Sequence, residues 1–495
     1  MLNKFIWTAS KLSIATLIAV GSMLSVGSFA QDNEYVEEVV SIGTRGKPRS
    51  VSSSPVPVDV LSAEDISKTG TDDLLMQLQG SIPSLNVHLQ PISDAASMIR
   101  PANLRGLSAD STLITTNGKR RHHASVIAFQ GGGVNDGSQG ADISVIPAIA
   151  LKRVEVLRDG ASAQYGSDAI AGVINFVLDD ISEGGSLSYK MGEYTEGDGA
   201  TSTIAGKFGM PLGQDGFVTT SFQIRQADDT SRSLQRPDAA ALIAAGNTAV
   251  ANPAQIWGAP KIDDDVTFFM NAGVTNSDGS ESYMFGNYSE RDVDGGFYYR
   301  NPDGRSGVFT IGDYRAVGNV DGTCAYGTGA SGQVDPSNYV TRDAIMADPS
   351  CFLMNEIAPG GYTPRFVGTI TDTSFTTGRR GEITDGFLSG YSFDVSGSVG
   401  RNEADFGLNN TVNPSMGPDT PRNFTTGSYI ELEKTFNFDL QKQYDSLSVA
   451  YGAEWREETF EVISGEEASW KAGKYALQGF NVGSHGFAGF SPDSQ

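Results

Sequence analysis

From residue 185 onward, apolar and polar residues alternate with period two, a spacing that sends successive side chains to opposite faces of a β-strand. Leu187, Tyr189 and Met191 alternate with Ser186, Ser188 and Lys190, and Val218, Thr220, Phe222 and Ile224 with Thr219, Ser221, Gln223 and Arg225. The pattern returns at Tyr391, Phe393, Val395 and Val399, and again at Leu447, Val449, Tyr451 and Trp455. It predicts nine strands, near 186–194, 201–211, 217–227, 265–275, 281–291, 368–384, 391–402, 429–440 and 446–460. Upstream, from Val58 to about Asp180, the pattern is mixed. Ser62-Ala63-Glu64-Asp65 and Thr71-Asp72-Asp73 look like capped helix starts, the second helix running from Asp72 to Leu78. Short β-rich runs follow at Leu85 to Leu89, Thr112 to Thr116 and Val154 to Leu157, with Asn117-Gly118 and Asp159-Gly160 as turns.

A soluble β-sandwich would alternate in the same way, so connection lengths decide the architecture. Segments 212–216, 276–280, 385–390 and 441–445 are tight turns, whereas 228–264, 292–367 and 403–428 are long. Short turns on one side and long loops on the other mark an outer-membrane barrel. The expected fold is therefore mainly β, a small α+β domain followed by an antiparallel transmembrane barrel. Single-chain bacterial barrels have an even strand number with both ends on the periplasmic side, so nine strands are expected to leave the barrel incomplete, with Gln495 in an outer loop. After the N-terminal segment no apolar run is long enough for a membrane helix.

That segment reads as a secretory signal peptide. Lys4 and Lys11 are its basic part, Leu12 to Val26 its apolar part, and Ser28-Phe29-Ala30 sets cleavage after Ala30. Its removal takes two Lys and no acid from the 35 basic and 59 acidic residues of the chain, leaving 33 against 59, a net −26. Such a balance argues against a nucleic-acid partner. Residues 31–57 read as an extended polar linker. Cys324 and Cys351 lie in a Gly, Asp and Asn-rich stretch and are expected to pair in an oxidising compartment, contributing roughly 3–4 kcal/mol through loop closure.

Three stretches resemble the TonB-dependent outer-membrane receptors. Glu37-Glu38-Val39-Val40-Ser41-Ile42-Gly43-Thr44-Arg45 looks like the family's coupling box. Leu104-Arg105-Gly106-Leu107 and Thr112 to His122 resemble its arginine-glycine step and strand-turn. The third runs from Ile149 to Leu178 and includes Arg153 to Gly160 and Ala163 to Asn175, with Asp159-Gly160 where many relatives have Gly-Pro. The resemblance implies a plug over 58–180 and the N-terminal part of a 22-stranded barrel over 185–495. It implies an energy-coupled importer in the outer-membrane lipid that takes a small-molecule or chelated-metal ligand, a ferric siderophore before oligosaccharide or cobalamin. The other class is a secreted β-rich adhesin without transport.

The resemblance also places the working residues. Glu38, Val39, Val40 and Ile42 would pair by strand addition with an inner-membrane TonB-type protein. Arg105 and Arg158 are expected to pair with wall carboxylates. Arg120, Arg121, His122, His123 and Gln130, near a plug apex, are candidate ligand contacts. From their place before the longest loop, Tyr298, Tyr299, Phe297 and Arg300 read as part of an aromatic interface girdle ahead of the other reading, the lining of an outer vestibule. Gly327-Thr328-Gly329-Ala330-Ser331-Gly332 matches a dinucleotide pattern by letter, but Pro336 stands where the helix should run. His88, His122, His123 and His485 are too scattered for a metal cluster, and the sequence carries no hydrolase, zinc-protease or phosphate-loop motif, so neither catalysis nor a cofactor is expected.

Overall fold

The computed structural model describes residues 39–40, 49–50 and 58–494, apart from 72, 88–91, 93, 101, 129–132, 327–333 and 446. The signal peptide, most of the linker, Glu38, Ile42, Gln130, His88 and the glycine-rich Gly327 to Gly332 run lie outside the described residues. All described residues belong to one compact unit.

The plug sheet comprises β1 (Val58–Ser62), β2 (Thr112–Thr116), β3 (Lys119–Arg120), β4 (Leu151–Leu157) and β5 (Gly172–Leu178), in the order β1-β4-β5-β2-β3. Only β2 and β5 run parallel. Two helices pack beside it. α1 (Ala63–Ser67) starts where the Ser62 hydroxyl accepts from the Asp65 amide at 3.1 Å. α2 (Leu74–Ser81) begins two residues later than its sequence suggests, because Asp73 is the cap and accepts from the Met76 amide at 3.3 Å. Strand β4 starts three residues earlier than its Val154 to Leu157 core, the register crossing an irregularity near Lys152. Within the described residues the first short run forms a strand over Leu85–Val87, paired with Ala102–Leu104.

Nine antiparallel wall strands follow in unbroken neighbour order: β6 (Gly185–Gly192), β7 (Thr201–Pro211), β8 (Gly216–Ala227), β9 (Lys261–Thr275), β10 (Glu281–Gly295), β11 (Arg365–Glu382), β12 (Ser392–Asn409), β13 (Phe424–Gln443) and β14 (Ser448–Ser464). The sheet is open, with β6 and β14 at its edges. Connections 212–215, 276–280, 383–391 and 444–447 are short and 228–260, 296–364 and 410–423 long, as the pattern predicts. Several strands outrun the alternating stretches, β12 to Asn409 and β13 from Phe424. Their ends stand next to the long loops, where Ala404, Phe406, Leu408 and Phe424 are buried and the backbone ladder continues.

The wall reverses the polarity of a water-soluble sheet. On β10, Asn287, Ser289 and Arg291 are buried toward the plug, while Met284 and Tyr288 are exposed outward. Tyr288 lies opposite Phe268, and Phe375, Phe436 and Phe438 continue the exposed band on later strands. An apolar exterior around a polar interior is what a lipid-facing barrel wall requires. Among the described residues no helix is long and apolar enough to cross a membrane. Above the wall, the long loops and 465–494 pack into a cap with its own apolar clusters and the Cys324–Cys351 disulfide.

Candidate functional site

Asn117 and Gly118, both at positive φ, close the turn between β2 and β3 and deliver Lys119 to His123 to the inner face of the wall. Lys119 Nζ lies 3.0 Å from Asp394, which also accepts from the Tyr283 hydroxyl at 2.7 Å. Arg121 donates to Asp372 Oδ1 at 2.6 Å and to Asn287 Oδ1 at 3.3 Å. His122 Nε2 meets Asp372 Oδ2 at 2.9 Å, and Asn287 and Asn402 donate to the same carboxylate at 2.8 and 3.0 Å. Asn402 in turn accepts from the Ser125 amide and hydroxyl at 2.8 and 2.9 Å. Arg121, His122, Asp372 and Asn402 are all buried, so each is satisfied by this network or not at all. A Cβ on Gly400 would come within 2.1 Å of the His122 ring, so the glycine is what lets the plug approach β12.

Two further contacts flank this hub. Arg291 reaches the Met98 carbonyl at 2.9 Å, Asp142 at 3.4 Å and the Ser144 hydroxyl. Arg120 pairs with Asp168 and stands 3.8 Å from Glu454, while Arg456 reaches Asp168 from the wall at 3.2 Å. His123 points to Glu433 and Glu458, and burial holds its pKa below the ordinary value against the pull of Glu458 and Asp168. Apolar contact is present as well. Phe269 and Phe285 of the wall join the plug core, and Met98, Ile99, Ala124 and Val126 pack under Phe297, Phe366 and Phe406. The boundary is thus mixed, with a polar belt between two apolar zones.

Two expectations change places. Arg105 faces Asp159 at 3.8 Å and the Ala171 carbonyl at 3.4 Å, and Arg158 pairs with Asp59, so among the described residues both find their partners within the plug. The seam to the wall is made by Arg120 to His123, which the sequence offers as ligand contacts. Arg121 and His122 are buried against wall side chains. The wall partners Asn287, Arg291, Asp372 and Asn402 are missed by motif reading. Their signal is faint: polar residues on the inward positions of alternating strands, with nothing to say which plug residue each one meets.

Higher up, Phe366 stacks on Phe406 with centroids 5.7 Å apart, Phe487 lies 5.0 Å from Phe366, and Tyr429 stacks on Phe490 at 4.8 Å. Phe297, Tyr299 and Arg300 are buried inside this upper region and do not form an outward girdle, Arg300 lying over the Phe297 ring at 5.2 Å. A cavity of about 780 Å³ opens between the plug and β6 to β10, bordered by Arg100, Arg225, Arg232, Arg291 and Lys190 and by Asp73, Glu193, Asp228 and Asp265. That is the volume of a small-molecule site.

Residues 50–173 match the TonB-dependent Receptor Plug Domain. The iron-regulated outer membrane virulence protein of Vibrio cholerae is 28% identical over 165 residues, 33% of this chain and 23% of that protein. A ferric enterobactin receptor of Pseudomonas aeruginosa is 32% identical over 120 residues, 24% of this chain and 16% of that protein. The crystal structure of a ferric enterobactin receptor mutant from Pseudomonas aeruginosa superposes with a TM-score of 0.51 at 16% identity, covering 83% of this chain and 50% of that one, a likeness of fold. The chain thus matches under a quarter of the length of these curated relatives and half of the solved receptor. Over residues 50–173 the chain is thus similar to the plug of TonB-dependent receptors, and the structure seats that plug against an antiparallel wall of outward-facing apolar residues.

Proposed function

We propose that the protein is an energy-coupled outer-membrane importer of a ferric siderophore. The observation that carries this reading is the plug seated against the inner face of the wall and held there by side-chain hydrogen bonds around Asp372. The polar belt interrupts the apolar contacts that flank it, so the plug is held less continuously than an unbroken apolar interface would hold it. Val39 and Val40 already form a two-residue strand, paired with Ser50 and Arg49. This is the extended backbone that strand addition by a TonB-type partner needs, and Glu38 and Ile42 complete that box. The relatives' iron and ferric enterobactin names favour a chelated metal as the ligand, and Arg225 and Lys190 on the mixed-charge lining of the plug–wall cavity offer cationic contacts for an anionic chelate. No step of this function makes or breaks a covalent bond, and none calls for a catalytic group or a resident cofactor.

The test is direct binding of ferric siderophores, oligosaccharides and cobalamin to the refolded full chain in detergent. Saturable binding of a ferric chelate, weakened by Arg225→Ala, is the expected result. Binding of sugar or cobalamin alone would replace the substrate class, and no binding of any of them would return the protein to the adhesin class.

A further inference from the structure

Three ligating side chains from three segments converge where the plug meets the last two wall strands. His123 follows β3, Glu433 stands on β13 and Glu458 on β14, and the register sets Glu433 directly opposite Glu458. His123 Nδ1 lies 3.6 Å from Glu433 Oε2 and 3.8 Å from Glu458 Oε1, and one ligating atom from each residue lies within 4.8 Å of the others. These separations are too long for hydrogen bonds. Two donor atoms bound about 2.0–2.2 Å from a tetrahedral ion stand about 3.3–3.6 Å apart, close to the spacing observed.

A second observation is independent of that spacing. Glu433 is 3% exposed, and its Oε2 accepts no hydrogen bond among the described residues. Buried carboxylates are ordinarily satisfied, and carboxylates facing each other across two strands repel. The nearby cations are engaged elsewhere. Arg456 Nε holds Glu458 Oε1 at 3.1 Å while its guanidinium also reaches Asp168, Arg120 serves Asp168 and Glu454, and Lys434 pairs with Glu457 at 2.8 Å. Arg456 thus sits on Glu458 Oε1, the oxygen that also faces His123, so an ion at this site would take Glu458 in exchange for Arg456, while Glu433 Oε2 is left facing an imidazole nitrogen.

We propose that His123, Glu433 and Glu458 bind a divalent transition-metal ion of the zinc class, one ligand from the plug and two from the wall. Imidazole with carboxylates suits Zn²⁺ and its first-row neighbours and disfavours Ca²⁺ and Mg²⁺, which take oxygen ligands. Three protein ligands leave a fourth position for water. Because the site spans the boundary that plug movement must open, a bound ion is a clamp across it. The site is distinct from the cation-bordered cavity and does not depend on the identity of the imported ligand.

The experiment titrates Zn²⁺ into the chelator-treated full chain folded in detergent, with His123→Gln, Glu433→Gln and Glu458→Gln beside it and Glu431→Gln as the neighbouring control. One high-affinity equivalent is expected, weakened at least about tenfold by each of the first three and unchanged by the fourth. Zinc-edge X-ray absorption of the wild type, which needs no variant to fold, should show one imidazole nitrogen among oxygen ligands. Absent binding, binding equal in wild type and variants, or all-oxygen ligation from the acidic surface would each overturn the proposal.

Discussion

Asp372 accepts from four groups, two of them on the plug, and this one carboxylate fixes where Arg121 and His122 can lie. Arg121 is 6% exposed, so removing its counter-charge strands a buried guanidinium. Losing one partner of a buried ion pair costs about 3–5 kcal/mol, whereas replacing both by apolar groups is often neutral. Asp372→Asn is therefore expected to lower the urea midpoint and expose the plug to protease, and adding Arg121→Met should recover much of the loss. An Asp372→Asn protein as stable as wild type would show that the seam holds nothing. The sequence displays Arg121 and His122 as a conspicuous basic run but cannot show their partner, which lies 250 residues downstream on a strand whose inward face is merely polar. Arg105 and Arg158 likewise face Asp159 and Asp59 inside the plug, partners that no motif displays.

At the scale of elements, legibility follows the length of the repeating pattern. Each wall strand repeats its two-residue period over many residues, and all nine are visible, with their upper ends misplaced further than their lower ones. The cap is not visible, because its packing joins 296–364, 410–423 and 465–494 through irregular backbone. Within it, His485 accepts from Arg305 through Nε2 at 3.2 Å, leaving the Nδ1 proton to face the Tyr362 hydroxyl at 3.1 Å. Burial, reinforced by Arg300 and Arg305, pushes this imidazole down to about 3. In the unfolded chain it titrates near 6.5. The unfolded form thus binds a proton that the folded cap refuses, and stability is full above about pH 6.5 and falls as pH drops toward 3, by up to about 1.4 kcal/mol per pH unit. Thermal melts of the cap between pH 7.5 and 4.5, read by protease cleavage in 296–364, should show this slope in wild type and a shallower one in His485→Gln. Equal slopes would assign the acid sensitivity to carboxylates instead.

For the whole molecule, the question is whether the plug must move against the wall for import to occur. The plug has its own apolar core, built on Leu75, Leu78, Val154, Val156, Ile174 and Phe176, all nearly inaccessible. That core lets the plug shift as a body, and the boundary it must break includes the Ser125 to Asn402 contact, where backbone and side chain both meet the wall. A cysteine at each of these positions would join plug to wall without touching the basic residues around the cavity. In cells, Ser125→Cys with Asn402→Cys is expected to bind ferric siderophore normally, to lose uptake when oxidised, and to regain it on reduction, while either single cysteine transports in both states. Uptake that persists in the oxidised, verified cross-link would mean that the ligand passes a plug that stays docked at β12, and the polar belt around Asp372 would then be a fixed part of the barrel and not a release seam.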